Sequence, residues 1–175
     1  MTKFSATQTQ HDLHGNYPQA TCTEQLRINL ENVQSRILSA CLRAGRDPQE
    51  VTLLPVSKTM DEARIRLAYQ AGCRYFGENK VQEAWGKWEA MQDLPDINWS
   101  VIGHLQTNKA KLVARFASEF QALDSLRVAE ALERHLQQIG RSLDVFVQVN
   151  TSGEASKYVL SPEEVPSFIR ALAPF

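Results

Sequence analysis

The residues that could do chemistry in this sequence stand in five polar clusters, each directly after a short apolar run. The first cluster is Ser57-Lys58-Thr59, in which a lysine lies between two hydroxyl side chains. A lysine at the end of a buried strand can lose its proton through desolvation and attack an aldehyde to form a Schiff base. A solvated surface lysine is the competing interpretation. The other four clusters are Gly77-Glu78-Asn79, Gly103–Lys109, Asp124-Ser125 and Asn150–Glu154.

Three further side chains offer acid–base chemistry, each with a simpler alternative. His104 can serve as a general base or as the partner of a cofactor ring, or it can be hydrogen-bonded within its loop. Glu78 and Glu83 can form a carboxylate pair, although Glu83 also fits a solvated helix face. Trp85 and Trp88 lie three residues apart and are predicted to be packing residues rather than a platform on which a ligand stacks. None of these residues defines a reaction by itself.

Short β-branched runs alternate with amphipathic stretches, and these elements must position the polar clusters. Strand-then-helix order predicts an α/β fold with a parallel sheet and right-handed crossovers. The ends of parallel strands meet at one edge, where barrels and open sheets both place their sites. The predicted strands are Val51–Val56, Cys73–Phe76, Trp99–Ile102, Phe120–Leu123 and Val145–Val149. The predicted helices are Glu24–Ala44, Asp61–Ala71, Val81–Met91, Lys109–Phe116, Leu126–Ile139 and Ser161–Leu172.

Local signals mark the ends of several of these elements. Thr23 is the predicted N-cap of the first helix, and Gly45 its terminator. Gly140 is expected to end the fifth helix, and Ser161 to cap the last one. The continuous apolar run Val51–Val56 is typical of a parallel strand buried on both faces.

The composition is that of one globular domain, with 175 residues of which 43% are hydrophobic and 22% charged. A net charge of −1 attracts neither nucleic acid nor an anionic membrane, and no apolar run of about 18 residues is present. Three cysteines without a CxxC spacing indicate reduced thiols and a cytoplasmic protein. Residues 1–22 are predicted to be a mobile polar tail, and residues 23–175 the domain. The sequence contains no GxGxxG motif and no Walker-type phosphate loop, which disfavours nucleotide binding.

Read together, the five strand ends resemble the pyridoxal phosphate homeostasis protein family. The resemblance runs from about residue 24 to residue 160 and keeps five motifs in order. These are Val56–Thr59, Tyr75–Asn79 with Val81-Gln82-Glu83, Trp99–Lys109, Leu123-Asp124-Ser125, and Gln148–Glu154 with Ser156-Lys157.

The resemblance implies a (β/α) barrel of the alanine racemase N-terminal-domain type, and so favours a barrel over an open sheet. It implies that Lys58 holds pyridoxal 5′-phosphate (PLP) as a Schiff base. It also implies that four polar residues, Asn79, His104, Ser125 and Asn150, surround the cofactor ring. Such proteins bind and buffer PLP without metabolic catalysis, and PLP-dependent apo-enzymes are candidate recipients of the cofactor.

Two departures from the family pattern bear on binding. About three further strands, with the loops that hold the phosphate, are missing from this sequence, so it predicts about five of eight barrel strands and a truncated chain. We therefore expect Lys58 to hold PLP only loosely and reversibly. In addition, Val159 replaces a glycine of the family, which is costly if that position needs a positive φ.

Two other functions remain open at this point. A PLP-dependent enzyme of the alanine racemase class would need a second, β-rich domain to bring a catalytic base to the cofactor. A degenerate fragment that no longer binds PLP is the other alternative, since an unclosed barrel exposes strand edges.

Overall fold

The computed structural model describes residues 19–152 and 159–175. Most of the predicted polar tail, and the stretch that holds Ser156-Lys157, lie outside these ranges. The division into a tail at 1–22 and a domain at 23–175 therefore stays a prediction. No helix within the described ranges is both long and apolar enough to cross a membrane.

A parallel sheet of four strands forms the centre of the fold, in the order β1-β2-β3-β4. Each strand pairs in parallel with the next one along the chain, and Phe76 of β1 lies beside Trp99 of β2. Since consecutive parallel strands are joined by helices, the predicted α/β architecture is confirmed, and four ordered neighbours fit an incomplete barrel. The strands are β1 (Tyr75–Glu78), β2 (Asn98–Val101), β3 (Glu119–Leu123) and β4 (Asp144–Val147).

The predicted first strand, Val51–Val56, is only an extended segment beside β1. Among the residues that the structure describes, it forms one parallel bridge, from Val56 to Gly77, with hydrogen bonds from Ser57 N to Gly77 O (2.9 Å) and from Gly77 N to Pro55 O (2.8 Å). Proline has no N–H to donate, which limits regular pairing. Val56 is 50% exposed, so the prediction of a strand buried on both faces is wrong.

Within the described ranges six α-helices accompany the sheet, and most begin and end within a residue or two of their predicted bounds. Gly45 and Gly140 end α1 and α5 with φ values of 62° and 64°, as predicted. Thr23 is inside α1, and Cys22 holds the N-cap position, so the Thr23 cap is wrong. The helices are α1 (Thr23–Ala44), α2 (Glu62–Gln70), α3 (Val81–Ala90), α4 (Ala110–Phe116), α5 (Leu126–Ile139) and α6 (Val165–Leu172).

The last helix begins later than predicted, at Val165 rather than at Ser161. The Ser161 N–H donates to the Glu164 carboxylate at 2.8 Å, and the Glu164 N–H donates to the Ser161 carbonyl at 3.1 Å. These reciprocal bonds close a separate turn before the helix, and helix α6 then starts with Pro166 in its first turn.

The core lies between the sheet and the helices, with most of its buried helical residues on α3, α4 and α5 and single ones on α2 and α6. Val101 and Phe120 are fully buried. Trp85 packs on Trp88 with ring centroids 4.8 Å apart and on Phe116 at 6.0 Å, which confirms that the two tryptophans are packing residues. The core thus holds β1, β2 and β3 rigidly, and with them the loops at their carboxyl ends.

Candidate functional site

The five predicted site residues follow neighbouring strands and form a row along one edge of the sheet. Neighbouring strands are about 4.8 Å apart, so the first and last members, four strands apart, are separated by roughly 19 Å along the sheet. Residues that follow adjacent strands therefore lie close together. The first and last residues of the row approach each other only where the sheet curves. In strand order the residues are Lys58, Asn79, His104, Ser125 and Asn150.

Lys58 lies in a tight turn directly after the segment that pairs with β1. The Met60 N–H donates to the Ser57 carbonyl at 3.0 Å and closes the turn. Thr59 has a φ of 66°, in the left-handed region that a β-branched residue rarely adopts. The Lys58 side chain is exposed. The burial expected for a lysine at the end of a buried strand is therefore not found. The side chain is thus exposed on an anchored turn.

A buried ion network anchors this turn to β1 and α3. The Lys87 ammonium, 8% exposed, donates to Glu78 Oε1 at 2.7 Å and to Glu83 Oε1 at 2.8 Å. It also donates to the Ser57 carbonyl at 3.0 Å. The Ser57 hydroxyl donates to Glu78 Oε1 at 2.5 Å, and the Thr59 N–H donates to Glu83 Oε1 at 2.9 Å. Ser57 is thus bonded to the Lys87 ammonium directly, and Thr59 through Glu83.

The two carboxylates of this network do not form the acid–base pair that the sequence suggested. They share the cation between them, and Glu83, whose side chain is 31% exposed, also accepts a hydrogen bond from the Thr59 N–H. The hydrogen bond from Lys87, followed by that from Thr59, lowers the pKa of Glu83 below its ordinary value. Glu78 is fully buried, and its Oε2 has no hydrogen-bond partner among the described residues. The positive charge of Lys87 therefore offsets most of the desolvation cost of this buried carboxylate.

Two neighbouring strand-end loops touch at Gly103. A Cβ added there would lie 2.1 Å from the Asn79 backbone oxygen and 2.4 Å from its side-chain oxygen. Only glycine allows this approach, which brings the loop after β2 against the loop after β1. An open depression of about 400 Å³ lies beside the contact, and Asn79, Glu83 and His104 are among the residues that line it.

His104 is oriented by the next strand along the sheet. Its Nδ1 lies 2.9 Å from Asp124 Oδ2, with the imidazole 68% exposed and the carboxylate only 5% exposed. An aspartate that holds one ring nitrogen leaves Nε2 free to face a ligand. Asp124 was part of a sequence cluster but had no assigned role, and the structure shows that it orients the imidazole.

Ser125 and Asn150 complete the row without reaching the depression. Ser125 is the N-cap residue of α5, but its hydroxyl makes no capping hydrogen bond within that helix. The Asn150 N–H donates to the Leu160 carbonyl at 2.8 Å, and its side-chain oxygen accepts from the Ser152 hydroxyl at 3.2 Å. The structure thus gathers Asn79 and His104 at one depression and leaves Ser125 and Asn150 farther along the edge.

Lys87 is the residue of this site that sequence reasoning missed. The signal was present, because Glu83 and Lys87 are four apart on a predicted helix, the spacing at which an acidic and a basic side chain meet. Such pairs are usually solvated, and the sequence contains no sign that this one faces β1.

The sequence of this chain is similar to a known family model and to several characterised proteins. Residues 26–174 match the family model of the N-terminal domain of alanine racemase. The pyridoxal phosphate homeostasis protein of Pseudomonas aeruginosa is 43% identical over 144 residues, which are 82% of this chain and 62% of the relative. The protein of the same name from Escherichia coli K12 is 40% identical over 147 residues, which are 83% of this chain and 63% of the relative.

Solved structures agree with this assignment. The structure of PipY of Synechococcus elongatus with PLP bound is 36% identical and has a TM-score of 0.67, covering 80% of this chain and 64% of that one. Alanine racemase from E. faecalis, with a TM-score of 0.57 over 87% of this chain and 39% of its own, is 20% identical and shows the fold alone. This chain spans less than two thirds of the length of the relatives named above.

Proposed function

Because this chain belongs to the family of the alanine racemase N-terminal domain, and resembles proteins named for PLP homeostasis, we propose that it binds PLP through Lys58. The function is that of a carrier or homeostasis protein without metabolic catalysis. The observation that carries the proposal is the position of Lys58, whose exposed amine follows the segment paired with β1 on a turn anchored on both sides.

The side chains along the sheet edge suit the chemical groups of PLP. The Lys58 amine condenses with the aldehyde carbon, releasing one water molecule and leaving a Schiff base. Asn79 and His104 line one depression and offer an amide and an imidazole to the polar atoms of the pyridine ring. We propose Ser125 and Asn150 as further ring-side residues, at positions farther along the edge.

We expect the binding of PLP at Lys58 to be loose and reversible. Phosphate groups are held mostly by backbone N–H groups and helix N-termini, which form strong charge-assisted hydrogen bonds. None of the residues proposed for this site is assigned to the phosphate of PLP. The covalent bond to Lys58 must then supply most of the affinity.

Replacing Lys58 with alanine is expected to abolish covalent PLP retention. The measurement is the absorbance of the chain with added PLP, followed by borohydride reduction and peptide mass spectrometry. Lys111→Ala is the matched control, because Lys111 is also exposed and lies on α4 outside the depression. The proposal predicts a band and a fixed cofactor in the wild type and in the control, and neither in Lys58→Ala. Equal labelling of all three proteins would show that no site survives at Lys58.

The absence of catalysis, PLP-dependent apo-enzymes as recipients, and a cytoplasmic location remain parts of the proposal. The first is tested by an alanine racemization assay on the PLP-loaded chain. The proposal predicts no turnover above free PLP. Turnover that disappears in Lys58→Ala would instead favour the racemase-class enzyme.

A further inference from the structure

We infer that Glu83 and Lys87 are positioning residues, which hold Thr59 in its left-handed conformation and so direct the Lys58 amine toward an aldehyde ligand. The inference rests on the proposed function and deepens it, because it assigns roles to two residues that need not touch the ligand.

The first observation is the conformation of Thr59. Its φ of 66° is the only positive value at a non-glycine position among the residues that the structure describes. It occupies the third position of the Ser57–Met60 turn, where glycine or asparagine is the usual residue when φ is positive. Backbone in this state persists only where surrounding contacts maintain it. The turn that presents Lys58 thus depends on those contacts.

The second observation is what maintains that conformation. The Thr59 N–H donates to Glu83 Oε1 at 2.9 Å, and the same oxygen accepts from Lys87 Nζ at 2.8 Å. Lys87 Nζ also donates to the Ser57 carbonyl at 3.0 Å. The residues before and after Lys58 are therefore fixed by one network, while the Lys58 side chain itself remains exposed.

The third observation is how little regular strand pairing leads into the turn. The segment before it pairs with β1 through the single bridge between Val56 and Gly77. A regular strand would fix the direction of Lys58 through several backbone hydrogen bonds, but here the ion network takes over that task. When Glu83 is removed, Thr59 is free to leave the left-handed region, and the direction of the Lys58 side chain is no longer fixed.

The test compares five proteins, each confirmed as folded by circular dichroism: the wild type, Glu83→Ala, Glu83→Gln, Glu83→Ala/Thr59→Gly and a control variant at Glu89. PLP and borohydride are added, and peptide mass spectrometry measures the labelling rate of Lys58 relative to Lys111 in the same sample. General loosening of the fold affects the labelling of both lysines, whereas a loss of positioning lowers the labelling of Lys58 alone and so changes the ratio. Glu89→Ala, on the exposed face of α3, is the matched control.

Glu83→Ala is expected to lower the labelling ratio of Lys58 to Lys111 by about tenfold, because a reacting group that is poorly oriented reacts more slowly. Glu83→Gln should stay near the wild type, because its amide oxygen still accepts from Thr59. Adding Thr59→Gly to Glu83→Ala should restore most of the loss, since glycine adopts a positive φ without support. If Glu83→Ala does not fold, Thr59→Pro replaces it and should also lower the ratio, because proline has neither the N–H nor a positive φ.

The outcomes separate this inference from the proposed function. A wild-type chain with no preference for Lys58 over Lys111 overturns both. A clear wild-type preference that Glu83→Ala leaves unchanged overturns the positioning role alone. A loss in Glu83→Ala that Thr59→Gly does not restore also overturns it, because Glu83 then acts on the ligand rather than through Thr59.

Discussion

Replacing Lys87 with methionine is expected to lower the free energy of unfolding by about 3–5 kcal/mol, the usual result of removing one partner of a buried ion pair. Glu78 would remain fully buried, with Oε2 already unpartnered among the described residues and Oε1 left with only the Ser57 hydroxyl. A domain of ordinary stability has about 5–15 kcal/mol in total. The expected loss is therefore a large part of the total stability. A urea unfolding curve, followed by circular dichroism, measures the free energy of unfolding of the variant and shows whether it folds.

Two variants make the Lys87 prediction specific. Arg66→Met removes a cation from a surface pair with Asp93, whose carboxylate is 60% exposed, and should leave the urea midpoint nearly unchanged. Lys87→Met combined with Glu78→Gln removes the stranded charge and should regain part of the lost stability. A midpoint for Lys87→Met equal to that of Arg66→Met would contradict the buried network.

Gly103→Ala is expected to cost about 3 kcal/mol of stability, at the upper end for an overpacked site. The new methyl group would lie 2.1 Å from the Asn79 oxygen and 2.9 Å from its carbonyl carbon. Backbone atoms cannot rotate aside as a flexible side chain can, so the loops after β1 and β2 must separate. We also expect weaker PLP labelling of Lys58, because Asn79 and His104 would no longer line one depression.

Gly86→Ala is the matched control for this substitution. Gly86 lies inside α3, and an added Cβ meets no heavy atom within 4 Å. Alanine at a helix interior is more stable than glycine by about 0.5–1 kcal/mol, so this variant should unfold at higher urea than the wild type. Chemical denaturation of both variants checks the prediction, and it fails if Gly103→Ala unfolds with the wild-type midpoint.

The sequence by itself determined the order of elements and the edge of the sheet at which polar residues gather. The bounds of α5, Leu126–Ile139, are those that its periodicity predicts, and Gly140 ends it in the left-handed conformation. Hydrophobic periodicity and terminators are local properties, set by residues a few positions apart, so they can be read without knowing the fold.

Tertiary structure alone decided three features that shape the candidate site. Val51–Val56 has the composition of a buried strand yet pairs through one bridge. Thr59 adopts a conformation that its residue type disfavours, and Lys87 becomes a buried cation although its spacing is that of a surface pair. Each of these features depends on which distant segments meet. Burial, backbone strain and ion pairing between elements depend on contacts between residues far apart in the sequence, and local sequence patterns do not specify these contacts.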